Sequence, residues 1–260
     1  MARATPQAHK VALVTGGSRG IGAAIARKLA AAGADLVINH RKAGGSSQAK
    51  AEELCAEIRA GGSRALLVPA DIAVKAAVKA MLAQVREEFG RLDFLILNAA
   101  RAPFRPLENL PERELRQLVE TNWLGNLFCV QEALSLLEAS AGKVVFISSL
   151  GSRFYSPAYP LGSMKAAMEA AVRDLAEGLS GRGIAVNAVC AGLVKTDSFK
   201  LLRRLWEGLD RLPEEFFVEP EEIADVVLFL CGPGARGMRG QTVVVDRGLS
   251  NSLMRFPPPA

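Results

Sequence analysis

The chain opens its regular structure with an apolar strand, a glycine-rich turn and a helix. Residues 10–15 are an apolar run, and Ala, Ile and Leu recur at helical spacing over residues 21–32. Between them lies the turn Thr15-Gly16-Gly17-Ser18-Arg19-Gly20-Ile21-Gly22. Glycine is required there because a side chain would block the tight bend or the approach of a phosphate. Backbone N–H groups and the positive end of a helix face such a phosphate, so the sequence predicts a nucleotide-phosphate site.

The alternation of strands and helices continues along the chain. Further strands are predicted at residues 35–39, 65–69, 94–97, 144–147, 184–189 and 242–245, and helices at 48–59, 74–89, 111–137, 162–179 and 221–230. Strands that are apolar on both faces belong in a parallel sheet covered by helices. We therefore predict an α/β fold with one Rossmann-like, doubly wound parallel sheet of about seven strands and helices on both faces. The domain is expected over residues 10–250, between flexible termini at 1–9 and 251–260.

The segment 195–220 interrupts this alternation directly after the sixth strand. Ligands bind at the carboxyl ends of strands in such sheets, so we expect a substrate lid here. Helix packing at a subunit interface is the alternative. Its apolar residues, set among charges, are Phe199, Leu201, Leu202, Leu205, Trp206, Phe216 and Phe217.

Composition argues against several classes of protein. Half of the 260 residues are hydrophobic, which is enough for a sizeable core. No apolar run reaches the roughly 18 residues that span a bilayer, and residues 1–10 lack the apolar middle of a signal peptide, so we expect a cytoplasmic protein without a membrane span. The net charge of +5 is spread along the chain. Nucleic acid is therefore not indicated, whereas an anionic cofactor or an acidic carrier protein would be compatible.

The cysteines and histidines give no sign of a metal site. The four cysteines lie far apart in apolar segments, without the paired spacing of a zinc or redox motif, and we expect buried free thiols. Two histidines are too few for a histidine-based metal site or a Ser-His-Asp triad. These residues are Cys55, Cys129, Cys190, Cys231, His9 and His40.

The glycine pattern Gly-x-x-x-Gly-x-Gly, together with motifs that follow later strands, resembles the short-chain dehydrogenase/reductase family over nearly the whole chain. The further markers are Asp71-Ile72, Asn98-Ala99-Ala100, Asn122, Ser148-Ser149, Gly192 and Thr196. The resemblance implies a nicotinamide cofactor, with adenine beside Asp71 and ribose beside Asn98. The residues implied to bind it are Gly16, Ser18, Arg19, Gly20, Ile21, Gly22, His40, Arg41, Asp71, Ile72, Asn98, Ala99, Ala100, Lys165, Gly192, Val194 and Thr196.

The residues after the second strand predict which cofactor is used. An acid at this point would bind a ribose 2′-hydroxyl and repel a 2′-phosphate. The chain instead has Asn39-His40-Arg41-Lys42, and Arg19 projects from the glycine turn. These cations could form charge-assisted hydrogen bonds to the phosphate, so we predict NADPH rather than NADH. The alternative is that Arg41 and Lys42 are ordinary solvated charges.

The candidate catalytic residues have an unusual spacing. Members of the family commonly carry Tyr-x-x-x-Lys, which places both side chains on one helix face. Here Leu161 stands four residues before Lys165, and the nearer tyrosine, Tyr159, stands six before it, about 240° around an ideal helix. Pro160 disfavours helix at the residue before it, so Tyr159 can reach in from the loop while Lys165 lies on the helix.

This spacing resembles the enoyl reductases of the family, in particular the NADPH-dependent enoyl-acyl-carrier-protein reductase III type, although it is one residue shorter and Arg247 replaces a usual glycine. The resemblance implies reduction of a trans-2-enoyl thioester by NADPH.

 The implied reaction saturates the 2,3 double bond of that thioester as a step of fatty acid biosynthesis, with the acyl chain on acyl carrier protein. The implied catalytic pair is Tyr159 and Lys165.

Two further residues are catalytic candidates. Tyr155 is a second phenol, for which packing under the lid is the alternative, and Ser149 matches the family's catalytic serine, for which a strand-end cap is the alternative. Asn122 is expected to be structural or to relay protons. The competing functions are a 3-oxoacyl thioester or other carbonyl reductase, in which Ser149 becomes essential, and a catalytically weak NADP-binding scaffold. The resemblance also implies a homo-oligomer, either a dimer or a tetramer.

Overall fold

The computed structural model describes residues 10–156 and 160–252, without the side chains of residues 207 and 208. The strands are β1 (Val11–Val14), β2 (Asp35–His40), β3 (Ala65–Pro69), β4 (Phe94–Leu97), β5 (Lys143–Ser149), β6 (Ala185–Ala191), β7 (Leu193–Val194), β8 (Phe217–Val218) and β9 (Thr242–Val245). The α-helices are α1 (Gly20–Ala31), α2 (Ser46–Ala60), α3 (Lys75–Phe89), α4 (Glu112–Val119), α5 (Gly125–Ser140), α6 (Gly162–Gly178), α7 (Asp197–Leu205) and α8 (Pro220–Cys231).

Within the described residues, seven strands form one parallel sheet in the order β3-β2-β1-β4-β5-β6-β9. The chain reverses its direction of winding between β1 and β4, and the carboxyl ends of these two strands border a crevice at that point. The predicted doubly wound fold is therefore confirmed. No helix in this part of the chain combines the length and apolar character needed to cross a bilayer.

The core lies on both faces of the sheet because successive strand residues point to opposite sides. In β1, Leu13 packs into a cluster with residues of α3, α5 and α6, whereas Val14 packs into a second cluster with residues of α1, α2 and α8. Both side chains are fully buried. This double burial explains why the strands are apolar throughout rather than alternating.

The predicted helix over residues 111–137 is wrong in its details. A π-helical turn, Glu120–Leu124, separates α4 from α5, and the helical segment continues to Ser140. The turn brings the buried Asn122 amide to the backbone of Arg101. Directly after it, Gly125 packs so closely that a β-carbon would lie 2.9 Å from the carbonyl oxygen of Ile72. Such contacts with other parts of the chain leave no mark in the helical periodicity.

Strands β5 and β6 run two residues further than the periodicity predicted. Their pairing continues to Ser148↔Cys190 and Ser149↔Ala191. Ser149 is therefore the last residue of a central strand, at the edge of the crevice.

The segment predicted as a lid folds into a small unit beside the sheet. Strands β7 and β8 pair in parallel, and α7 lies between them in sequence. The rings of Phe199 and Phe217 are 5.2 Å apart, and Leu209 is fully buried with them. The lid function itself stays a prediction.

Helix α6 begins in close contact with the loop after β5. A methyl group at Gly162 would overlap the carbonyl group of Gly151. At the other end of the helix, a methyl group at Gly178 would meet no atom within 4 Å. The first turn of α6 is thus held against the loop by the absence of one side chain.

We expect Gly162→Ala to lower the free energy of unfolding by about 2 kcal/mol or more, because the backbone must move to admit the methyl group. The matched variant Gly178→Ala should be neutral or slightly stabilising, since alanine is a better helix former than glycine. Urea denaturation of both variants measures the difference. Equal stabilities would contradict the close contact between Gly162 and Gly151.

Candidate active site

The glycine turn has the geometry of an anion site. Gly16 and Gly20 have φ angles of +62° and +53°, a backbone conformation that residues other than glycine rarely adopt. A β-carbon at Gly22 would lie 2.5 Å from the carbonyl oxygen of Gly16. No side chain caps the N-terminus of α1, and its first turn contains no acid. The free N–H groups and positive end of the helix therefore fit the pyrophosphate of a dinucleotide.

Asn98 holds this turn from the neighbouring strand. Its Nδ2 donates to the carbonyl oxygens of Thr15 and Gly16, both at 3.0 Å. Its backbone N–H donates to the Thr15 hydroxyl at 3.0 Å. The Asn98 amide is thus used to brace the turn. Gly22, predicted to bind cofactor, does not line the cleft among the described residues and instead lets α1 pack closely on the turn.

A cationic region follows β2. Arg19, Arg41 and Lys42 line the cleft, are exposed, and form no ion pair with any residue in the described ranges. The Ser18 and Ser47 hydroxyl oxygens are 3.0 Å apart beside them. Three cations and two hydroxyl groups therefore lie together here, and residues 41–45 contain no acidic residue. This arrangement suits a phosphate ester.

Two buried side chains support the end of β2. The Asn39 Oδ1 accepts from the N–H of Gly16 at 3.3 Å, and its Nδ2 donates to the carbonyl oxygen of Ala70 at 3.0 Å. His40 is 2% exposed, and its Nδ1 has no hydrogen-bond partner among the described residues. Asn39 therefore connects the second and third strands to the glycine turn, while His40 lines the cleft.

These residues border one cleft of about 970 Å³. It lies along the carboxyl ends of the strands and reaches under the segment that contains α7. The described residues from the predicted site that line it are Gly16, Ser18, Arg19, Gly20, Ile21, His40, Arg41, Asp71, Ile72, Asn98, Ala99, Ala100, Ser149, Tyr155, Lys165, Gly192, Val194 and Thr196.

Lys165 lies at the floor of the cleft. Its Nζ donates to the carbonyl oxygen of Ile147 at 2.5 Å and lies 4.6 Å from the centre of the Phe146 ring. Burial lowers the pKa of Lys165 to about 8, against the smaller opposing effects of Cys190 and Glu169. An ammonium group with this pKa still carries a positive charge at neutral pH.

The three hydroxyl candidates differ in their surroundings. The Ser149 Oγ is buried and has no hydrogen-bond partner within the described part of the chain. Tyr155 lines the cleft but is 86% exposed, so it is not packed under the lid. Tyr159 lies outside the described residues. Leu161, at the position of the usual tyrosine, is 1% exposed and lines the cleft.

Other predicted residues have defined structural contacts. The Asn122 Oδ1 accepts from the N–H of Arg101, and its Nδ2 donates to the carbonyl oxygen of the same residue, both at 2.9 Å. The Thr196 hydroxyl caps α7 by accepting from the N–H of Phe199. Arg247 adopts a φ of +50°, as a glycine would, and forms a two-pronged ion pair with Glu222.

One side of the cationic region was not predicted from the sequence. Gly44 and Gly45 have positive φ angles, and Ser46 and Ser47 begin α2, whose N-terminus has no side-chain cap. All four residues line the cleft. The signal was present as Gly-Gly-Ser-Ser, which is typical of a helix start, but the helix was predicted only from residue 48. Among the described residues, no group of His, Cys, Asp and Glu is arranged to hold a metal ion.

Comparison with known proteins agrees with this geometry. A family model described as Enoyl-(Acyl carrier protein) reductase matches residues 16–250. The 1-cyclohexenylcarbonyl-CoA reductase of Streptomyces collinus is 36% identical over 254 residues, which cover 95% of this chain and 89% of that protein. A 3-oxoacyl-(acyl-carrier-protein) reductase of Staphylococcus aureus is 34% identical over 244 residues, which cover 92% and 98% of the two chains.

A solved structure extends the agreement to three dimensions. The short chain dehydrogenase from Burkholderia cenocepacia J2315 in complex with NADP is similar with a TM-score of 0.82 and 33% identity, covering 92% of this chain and 97% of the other. The chain therefore belongs to the short-chain dehydrogenase/reductase family of oxidoreductases.

We expect Lys165 to titrate near pH 8, well below an ordinary lysine, because its ammonium is buried. NMR of ¹³C-labelled lysine side chains measures this, with Lys165→Met to assign the signal and exposed Lys79 as the internal reference. The unfolded chain keeps this proton up to about pH 10.5, so between pH 8 and 10.5 this lysine makes the fold more stable as pH rises. A midpoint above pH 10 would contradict the burial of Lys165.

Proposed function

We propose that this chain is an NADPH-dependent reductase of the 2,3 double bond of trans-2-enoyl thioesters, the enoyl-acyl-carrier-protein reductase step of fatty acid biosynthesis. The observation that carries the proposal is Leu161, which is buried and lines the cleft one helical turn before Lys165. An apolar side chain there cannot donate a proton, so a phenol must come from the preceding segment. A displaced phenol suits an enoyl thioester, whose hydride-accepting carbon lies two bonds beyond the carbonyl carbon.

The cofactor follows from the charges around the end of β2. Arg19, Arg41 and Lys42 provide cations for a 2′-phosphate, and the Ser18 and Ser47 hydroxyls add hydrogen-bond donors. The N-terminus of α1 holds the pyrophosphate, and Lys165 holds the nicotinamide ribose. When bound, NADPH supplies the hydride that adds to the β-carbon of the enoyl group.

The residues of the chain stabilise the charge that this addition creates. Negative charge develops on the thioester oxygen as an enolate, and Tyr159 hydrogen-bonds that oxygen. Lys165 is protonated at neutral pH and keeps the local field positive. The α-carbon then takes a proton from water or from the tyrosine. Leu161 and Phe199 line the cleft and exclude water from it.

The comparisons support this choice of substrate. The matching family model carries an enoyl reductase description. The Streptomyces collinus relative is named for 1-cyclohexenylcarbonyl-CoA, a thioester whose double bond is conjugated to its carbonyl group. We infer the same class of conjugated thioester for this chain.

A second candidate is reduction of a 3-oxoacyl thioester. The Ser149 Oγ is buried at the cleft with no partner among the described residues, which is what a hydroxyl that binds a substrate carbonyl requires. The Staphylococcus aureus relative is named for that reaction. In this reaction Tyr159 would protonate the ketone oxygen directly and Ser149 would be essential.

We also propose a cytoplasmic homo-oligomer, a dimer or tetramer, that accepts its acyl chain from an acidic carrier protein. Leu115, Val119 and Leu124 are 37–40% exposed along α4 and the following turn, and this apolar strip suits contact with another copy. Light scattering coupled to size exclusion tests the assembly.

We expect NADPH oxidation with a trans-2-enoyl thioester and little with the matching 3-oxoacyl thioester, measured by loss of absorbance. Tyr159→Phe should lower kcat on the enoyl substrate by about 100-fold, because the enolate loses its hydrogen bond. Tyr155→Phe, the matched control, should stay near wild type. Turnover of the ketone alone, together with its loss in Ser149→Ala, would establish the second candidate instead.

We expect Arg41→Asp to raise the KM for NADPH by about tenfold or more, because it replaces a phosphate partner with a repelling charge. The KM for NADH should change much less. Lys79→Asp makes the same change of charge on the exposed face of α3 and should leave both values unchanged. An unaltered NADPH KM in Arg41→Asp would remove this arginine from the cofactor site.

A further inference from the structure

A buried carboxylate connects helix α6 to the end of β5. The Glu169 Oε1 accepts from the Ser148 hydroxyl at 2.5 Å and from the Ser152 hydroxyl at 2.7 Å. Glu169 is 8% exposed, and its Oε2 lies 3.6 Å from an Arg153 guanidinium nitrogen. The mechanism proposed above does not use this residue.

Glu169 and Lys165 lie one turn apart on the same face of α6. Lys165 donates to the carbonyl oxygen of Ile147, and Glu169 accepts from the hydroxyl of the next residue, Ser148. Two consecutive residues of β5 are therefore held by two consecutive turns of one helix. Ser149 follows directly, with its hydroxyl at the cleft, and Ser152 is held on its other side.

We propose that Glu169 is a positioning residue, which fixes the segment from Ser148 to Ser152 against α6 and so sets the places of Ser149 and Lys165 in the cleft. Glu169 positions both Ser149 and Lys165 without touching substrate or cofactor. The inference rests on the proposed function only for the activity measurements below.

The charge of Glu169 supports this role. The carboxylate favours the protonated form of Lys165 and partly opposes the effect of burial, which lowers the pKa of Lys165. The groups that face Glu169 are Ser148 of β5, Ser152 and Arg153 after it, Cys190 of β6, and Lys165 and Arg173 of α6 itself. An uncharged side chain of the same shape would keep the hydroxyl contacts and lose the effect on Lys165.

The test compares Glu169→Gln with the double variant Ser148→Ala/Ser152→Ala. Glu169→Gln keeps an acceptor oxygen but loses the charge, so the Lys165 midpoint from lysine NMR should fall by about 0.5 to 1 pH unit. The double variant keeps the charge but removes both hydroxyl donors. It should lower kcat by about tenfold, because release of the end of β5 shifts the Lys165 ammonium relative to the enolate that it stabilises.

Glu177→Gln, on the exposed face of α6, is the matched control and should change neither quantity. An unmoved Lys165 midpoint in Glu169→Gln, with kcat also unchanged in the double variant, would overturn the proposal. If the double variant does not fold, Ser152→Ala alone replaces it. Because the lysine titration needs no acyl substrate, a protein that reduces neither thioester would refute the proposed function and still leave the role of Glu169 measurable.

Discussion

The structure depends on the packing of helix α6 against the carboxyl end of strand β5. A buried ammonium group is costly unless it is hydrogen-bonded, and Lys165 meets that need through the carbonyl oxygen of Ile147. Gly162 brings the first turn of the helix into backbone contact with Gly151. Together they place a positive charge at the floor of the cleft, next to a strand end that presents Ser149.

Close backbone contacts also form the other half of the cleft. Gly22 lets α1 approach the glycine turn, and Asn98 holds that turn to β4 through two hydrogen bonds. The N-terminus of α1 is consequently open toward the crevice between β1 and β4. A phosphate site and an ammonium group on α6 then border one cleft, because parallel strands end at the same edge of the sheet.

Much of this was predictable because it is encoded locally. Apolar strands alternating with helical periodicity predicted the sheet, and the glycine spacing predicted the turn. What was missed depends on contacts between distant residues: the π turn before Gly125, the pairing of Ser18 with Ser47, and the two hydroxyls on Glu169. The predicted role of Tyr159 stays a prediction, since that residue lies outside the described part of the chain.

A crystal structure of the protein with NADPH bound tests the central claim most directly. We expect the pyrophosphate to lie at the N-terminus of α1 and the ribose hydroxyls to lie within hydrogen-bonding distance of the Lys165 Nζ. We expect the Tyr159 ring to face the nicotinamide. A ribose distant from Lys165, or a Tyr159 ring turned toward solvent, would contradict it.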